Sequence, residues 1–298
     1  HPEIPLCALS NIVVDPDNDN ILYFGSWLEG LYRVKDNKFD AHFGNENVSF
    51  ITNADNWASK IAALTFDKDK NLWMTHHSLN TGLLVMKRDG KWINYDYPEL
   101  KNKQHLDRML IPEKSKTKWI LFTYRYNNMV FAFNDNETID NLSDDITRKF
   151  TSFIDQDDKQ ISASQFFCIT EDKKGYLWIS FENSICKFDP KKHQFENYDR
   201  FNLHTYLPIT EVPSVLDNDD KMYIGTYEGT LQLDLKKLQK SSFIPPIVFT
   251  KADIRKNDKL SISSSILDNT LKLKADERNV SISFAALDFT NKEKLEYA

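Results

Sequence analysis

The sequence predicts an all-β protein, with propeller blades over residues 1–244 and a different, incomplete β-domain over residues 245–298. Three observations carry that prediction. Five segments repeat one order of strands and turns. The aromatic residues at their centres, Tyr23, Trp73, Trp119, Trp178 and Tyr223, stand 50, 46, 59 and 45 residues apart. The pattern then changes at Pro245-Pro246. A four-stranded propeller blade needs roughly 40–50 residues, so the spacing fits one blade per segment.

Each segment reads as an apolar strand, a polar turn, an aromatic-centred strand, a short loop and another apolar strand. The first runs through Ile12-Val13-Val14, the turn Asp15 to Asn20, Leu22-Tyr23-Phe24-Gly25 and Gly30 to Val34. The second has Ala63 to Phe66, Asp67 to Asn71, Leu72-Trp73-Met74-Thr75 and Gly82 to Met86. The third is weaker: Met109-Leu110-Ile111, a Lys-rich turn, Trp119 to Phe122 and Met129 to Phe133. Its longer interval leaves room for an insertion around Asn134 to Asp145. The fourth is clear, with Phe167 to Thr170, Glu171 to Gly175, Leu177-Trp178-Ile179-Ser180 and Ile185 to Phe188. The fifth has Val212 to Leu216, Asp217 to Lys221, Met222 to Gly225 and Gly229 to Leu233. Aromatic pairs mark an outer fourth strand: Phe39 with Phe43, Trp92 with Tyr95, Phe150 with Phe153, and Phe195 with Tyr198.

A blade cannot bury both faces alone, so neighbours stack and its central strand becomes apolar on each side. That accounts for Leu-Trp-Ile where strict alternation would mark a half-exposed strand. With only 8 glycines, the hairpin turns fall largely to Asn and Asp, which tolerate left-handed backbone. After the blades, Ile247 to Ile254, Leu271 to Leu273 and Asn279 to Phe289 read as strands. Alternation at Val280, Ile282 and Phe284 marks a half-buried sheet. These strands resemble the opening of an immunoglobulin-like sandwich, with too few to close it.

Composition excludes some functions. A net charge of −6, from 44 acidic and 38 basic residues, is not the footprint of a nucleic-acid binder. No stretch approaches the ~20 apolar residues that span a bilayer. The start at His1 reads as a processed or truncated product. Asp15-x-Asp17-x-Asp19 begins like a calcium loop, but Asn20 and Ser26 stand where that loop needs Gly and Glu, so it is read as a blade turn. The three cysteines form no metal pattern, and neither a metal nor a cofactor is expected. Cys168 and Cys186 fall on the first and third strands of one blade. Two strand spacings separate them by nearly ~10 Å, too far for a disulfide, so both are expected as buried free thiols.

The run Asp172-Lys173-Lys174-Gly175-Tyr176-Leu177-Trp178-Ile179 resembles the two-component regulator propeller repeat. Asn279 to Phe289 and Leu295-Glu296-Tyr297-Ala298 resemble the start of the Y_Y_Y domain that follows such propellers. Together they resemble the periplasmic sensor region of hybrid two-component receptors, many of which control glycan-utilisation genes. The resemblance implies five blades of a seven-bladed propeller, a periplasmic location and a full protein anchored in the inner membrane. It also implies a homodimer formed through the C-terminal sandwich, an oligosaccharide ligand, and a kinase elsewhere in the full protein, this segment being non-catalytic. The third repeat departs from the pattern, because it lacks the acidic Gly turn.

In propellers the loops between second and third strands gather on one face with the loops joining blades. There the sequence places Trp27, His76, Tyr124, Arg125, Tyr126 and Tyr227, with Glu29, His77, Glu182, Asn183 and Glu228 beside them. The inter-blade loops add Trp57, Lys60 and Arg108. Aromatic rings stack on sugar CH faces while amides and charges bond hydroxyls, and Lys60, Arg108 and Arg125 favour an anionic sugar. Two other classes compete. A propeller enzyme of the lactonase or lyase type would need His or Glu repeated at equivalent blade positions, and no such repetition occurs. A protein-interaction scaffold is the third.

Overall fold

The structure is a computed structural model that describes residues 9–51, 60–77, 82–100, 108–112, 115–124, 127–161, 165–181, 184–203, 209, 214–238, 246–256, 259–264, 273, 275 and 279–287. The chain divides into two compact units, His1–Leu238 and Gln239–Ala298. The division falls a few residues before the prolines that mark the change of pattern in the sequence.

The first unit is a series of antiparallel meanders. Blade 1 comprises β1 (Leu9–Asp15), β2 (Asn18–Ser26), β3 (Leu31–Lys35) and β4 (Lys38–Phe43), and blade 2 comprises β5 (Lys60–Phe66), β6 (Leu72–His77), β7 (Leu83–Met86) and β8 (Trp92–Tyr95). Blade 3 is β9 (Arg108–Leu110), β10 (Lys118–Tyr124), β11 (Asn127–Asn134) and β12 (Ile146–Phe150). Blade 4 is β13 (Phe166–Glu171), β14 (Leu177–Phe181), β15 (Ser184–Asp189) and β16 (Gln194–Asp199), followed by the short helix α1 (Arg200–Leu203). Blade 5 has β17 (Val215–Leu216), β18 (Lys221–Thr226) and β19 (Gly229–Asp234), three strands among the described residues. The inner strands β1, β5, β9, β13 and β17 stand side by side in chain order, as propeller blades require.

The core lies in the seams between blades. Tyr23, Leu31, Leu72 and Met74 fill the first seam. Trp73, Ile120 and Phe122 fill the second, and Trp119, Leu177 and Ile179 the third. Trp178, Met222 and Ile224 fill the fourth. Alternate residues of one central strand therefore serve two different seams, which is the physical reason that strand is apolar throughout. The outward side of β1 has no such cover among the described residues: Ile12 and Val14 are 53% and 48% exposed.

The acidic turns do more than reverse the chain. In blade 4, Asp172 Oδ1 accepts from the amides of Lys174 and Tyr176 at 2.9 and 3.0 Å, while its Oδ2 accepts from the Trp178 indole N–H at 2.9 Å. Asp67 repeats this in blade 2, with Asp69, Asn71 and Trp73 as donors. In blade 5, Asp217 takes the amides of Asp219 and Lys221 and the Tyr223 hydroxyl. Blade 1 diverts the second oxygen, because Asp15 Oδ2 accepts instead from Arg88 of blade 2 at 2.7 Å. The turn residues in left-handed backbone include Asn37, Asn136 and Asp220, as the Asn/Asp reading expects, but also Lys70, Glu137 and His193.

The insertion Asn134 to Asp145 holds a 3-10 turn (Leu142–Asp144) and fastens blade 3 to blade 2. Tyr95 donates its hydroxyl to the Ile139 carbonyl at 3.1 Å, Tyr97 donates to Asp145 at 2.6 Å, and Lys87 pairs with Asp140 at 2.8 Å. Cys168 and Cys186 are buried free thiols on β13 and β15, as the strand spacing requires. Phe153 does not belong to an outer strand. It lies beyond β12, buried in the third seam against Phe166 and Phe195, because the chain turns inward there.

Among the described residues the second unit holds a three-stranded antiparallel sheet in the order β21-β20-β22, where β20 is Ile247–Lys256, β21 is Lys259–Ser264 and β22 is Asn279–Ala286. Strand β21 occupies a stretch that the sequence pattern leaves polar. Ala252 and Ile254 are buried, whereas Ile282 and Phe284 are exposed. The expected strand at Leu271 to Leu273 falls mostly outside the described residues.

Candidate ligand-binding face

Antiparallel meanders send alternate connections to opposite ends of a blade. The described loops after β2 and β18 share one end with the starts of β5 and β9, which puts Trp27, Lys60, Arg108 and Tyr227 at that end. Their side chains differ in what they present.

Trp27 and Lys60 come together. Ser26 shapes the loop: its amide donates to the Gly30 carbonyl at 2.8 Å, and its hydroxyl accepts from the amides of Leu28 and Glu29. Gly30 has a φ of 95°, and a Cβ there would lie 2.3 Å from the Phe43 carbonyl oxygen, so glycine is required for this tight reversal. The reversal pushes Trp27 outward, 44% exposed. The Lys60 ammonium, at the buried start of β5, lies 3.4 Å from the centroid of the Trp27 ring. A cation against one side of an indole holds the ring and leaves an aromatic surface beside positive charge. Glu29 accepts from the Tyr32 hydroxyl, and Tyr32 stacks on His42 at 4.5 Å.

His76 is not presented by a loop. It lies within β6 at 0% exposure, and burial pushes its pKa down to about 4, so the ring is neutral near pH 7. A side chain at a strand end points into a seam or out of it according to the pleat, and His76 takes the inward position. Arg108 is likewise not on an inter-blade loop but opens β9, and its Nε donates to the Phe167 carbonyl of blade 4 at 2.6 Å. Tyr124 ends β10, paired by its backbone with Asn127. Tyr227 is 79% exposed at the β18–β19 hairpin. Trp57, Arg125, Tyr126, Glu182 and Asn183 lie outside the described residues, as does the side chain of His77. Among the described residues no three His, Cys, Asp or Glu side chains are placed to hold a metal ion, and no helix is long and apolar enough to cross a membrane.

The acidic turns before Trp73, Trp178 and Tyr223 are visible in the sequence, but not that the Asp six residues before each of these aromatics bonds it. Its second oxygen fixes the ring, so the strand ends that carry the loops are held from below.

One blade carries the most informative likeness. Residues 160–183 match the family model of the two component regulator propeller. That stretch contains β13 and β14, with the Asp172–Trp178 bond at its centre. The fold of the chain is similar to the extracellular domain assigned to the hybrid two component system BT3049 from B. thetaiotaomicron, at a TM-score of 0.69 and 16% identity over 96% of this chain and 36% of that one. It is also similar to PorZ, a surface component of the type-IX secretion system of Porphyromonas gingivalis, at 0.65 and 20% identity over 78% of this chain and 33% of that one. A gluconolactonase from Xanthomonas campestris follows at 0.51 and 12%, covering 75% and 71%. At such identities the likeness is one of fold. The chain spans about a third of the length of the first two structures. No curated protein matches it.

Proposed function

We propose that this chain is a ligand-sensing segment from the extracytoplasmic part of a hybrid two-component receptor, and that it is not itself catalytic. The regulator-propeller match in blade 4 carries this reading, and the fold likeness over nearly the whole chain to an extracellular domain of such a system supports it. The ligand in this reading is an oligosaccharide, anionic in its preferred form. Its ring stacks on Trp27, which Lys60 braces from the buried side and whose surroundings Lys60 makes more positive. The β20–β22 sheet begins an immunoglobulin-like Y_Y_Y domain, which dimerises and passes the signal toward a membrane-spanning kinase.

A thermal-unfolding screen against neutral and uronate-containing oligosaccharides tests the reading, since a ligand bound only by the folded form stabilises it by about 2.7 kcal/mol at a hundred times its Kd. The expected result is an upshift with one glycan class that Trp27→Ala weakens about tenfold. No upshift with any glycan, or one that Trp27→Ala and Lys60→Gln both leave intact, overturns the proposed face.

A further inference from the structure

At the opposite end of the blades, the turns of blades 2 and 3 and the blade 3 insertion enclose a cleft of about 500 Å³. That volume lies within the range of small-ligand sites. Phe66, Ile111 and Pro112 form an apolar wall, and Lys68, Lys116 and Lys118 bring three ammonium groups to the same space. Acidic residues meet them, but not equivalently.

Asp67 is spent on the Trp73 indole and the turn amides. Asp135 is spent on Lys118 at 2.7 Å, and both partners are almost wholly buried, with the Lys118 ammonium 4.8 Å from the centroid of the Trp73 ring. That pair is a fixed floor. Glu137 differs. Its carboxylate is half-exposed, and it joins Lys68 of one blade at 2.6 Å to Lys116 of the next at 3.2 Å. Two successive left-handed residues, Asn136 and Glu137, aim it there. Ion pairs this exposed cost little to exchange, because water and counter-ions replace either partner.

We propose that the cleft binds a small hydroxylated carboxylate of the uronate class, whose carboxylate takes the place of Glu137 between Lys68 and Lys116 while its ring lies on the Phe66–Ile111–Pro112 wall. Glu137 is then a resident competitor that holds the two lysines in register when the cleft is empty. The assignment is independent of the Trp27 face, which lies at the other end of the blades.

Calorimetric titration of the whole chain with glucuronate, with glucose as the neutral control, tests it. Glu137→Gln is expected to bind glucuronate about three- to tenfold more tightly than the parent, because the internal carboxylate no longer competes. Lys68→Gln and Lys116→Gln are each expected to weaken binding about five- to tenfold, as loss of one charge-assisted contact implies. All three side chains are well exposed, so the fold tolerates these changes. Lys91→Gln, whose partner is Asp140 outside the cleft, leaves binding unchanged. The same titrations run in the Trp27→Ala background remove glucuronate bound at the proposed sensing face from the comparison, so that the two sites are read separately. Equal responses to glucose and glucuronate, no saturable binding by Glu137→Gln, or undiminished binding by Lys116→Gln overturns the proposal.

Discussion

In blade 4 the indole N–H of Trp178 donates to Asp172, whereas in blade 3 the indole nitrogen of Trp119, on the equivalent strand, is buried with no hydrogen-bond partner among the described residues. The rings are otherwise alike: both are nearly inaccessible, and each fills one seam toward the following blade. The difference lies one turn away. Blade 4 has an aspartate six residues before its tryptophan, whereas blade 3 has Glu113 at that position, outside the described residues, in a Lys-rich turn without the glycine. A buried N–H left without a partner costs about 1–3 kcal/mol, so blade 3 keeps its ring on packing alone, while blade 4 adds a bond that also closes its turn. The acidic turn of the repeat is therefore an anchor for the seam as much as a reversal of the chain.

Asp172→Ala removes the acceptor of two amides and the indole together, and is expected to destabilise the first unit by roughly 3–4 kcal/mol, read from urea midpoints. A loss under about 1 kcal/mol, the ordinary worth of one hydrogen bond, would show that the anchor is ornamental. A titrating group extends the comparison. The His76 ring stays neutral down to about pH 4 in the fold, against an ordinary value near 6.5, because burial disfavours its charge. The unfolded chain takes up the proton first as pH falls. The stability held above pH ~6.5 is thus lost progressively down to about pH 4, by up to about 3 kcal/mol, and His76→Gln is expected to flatten that slope. The smallest effect sharpens the pair itself. Trp178→Phe is expected to cost about 1 kcal/mol more than Trp119→Phe, since only the former discards a formed bond and strands a carboxylate oxygen. Equal costs would mean that the two indoles are energetically equivalent.

Much of the fold was legible because its signal is periodic. Trp73, Trp119 and Trp178 mark central strands at blade spacing, and the apolar residues beside them had to face a neighbour on each side. The cysteine placement followed from strand spacing. What escaped were the places where periodicity is silent. Phe153 sits three residues past a strand and turns into a seam. Strand β21 alternates only Leu260 and Ile262 with Lys and Ser, in a stretch with no apolar run. The site was less legible than the fold, for a related reason. A residue at a strand-to-loop junction points in or out by a single pleat step, so His76 went inward and Arg108 went sideways to a backbone carbonyl, while Trp27, pushed out by Gly30, stayed where the sequence put it. The cleft around Glu137 left no signal either, since its residues come from three separate turns.

The insertion of blade 3 gives the array a latch. The seam between blades 1 and 2 is tied at the same end by ion pairs, Arg88 with Asp15 and Asp17 and Lys70 with Asp17. The seam between blades 2 and 3 is also strapped across its rim, by Ile139, Asp140 and Asp145 held to Tyr95, Lys87 and Tyr97. The cleft lies at the same end and takes its lining from both of the strapped blades, so a molecule lodged there would touch the two at once.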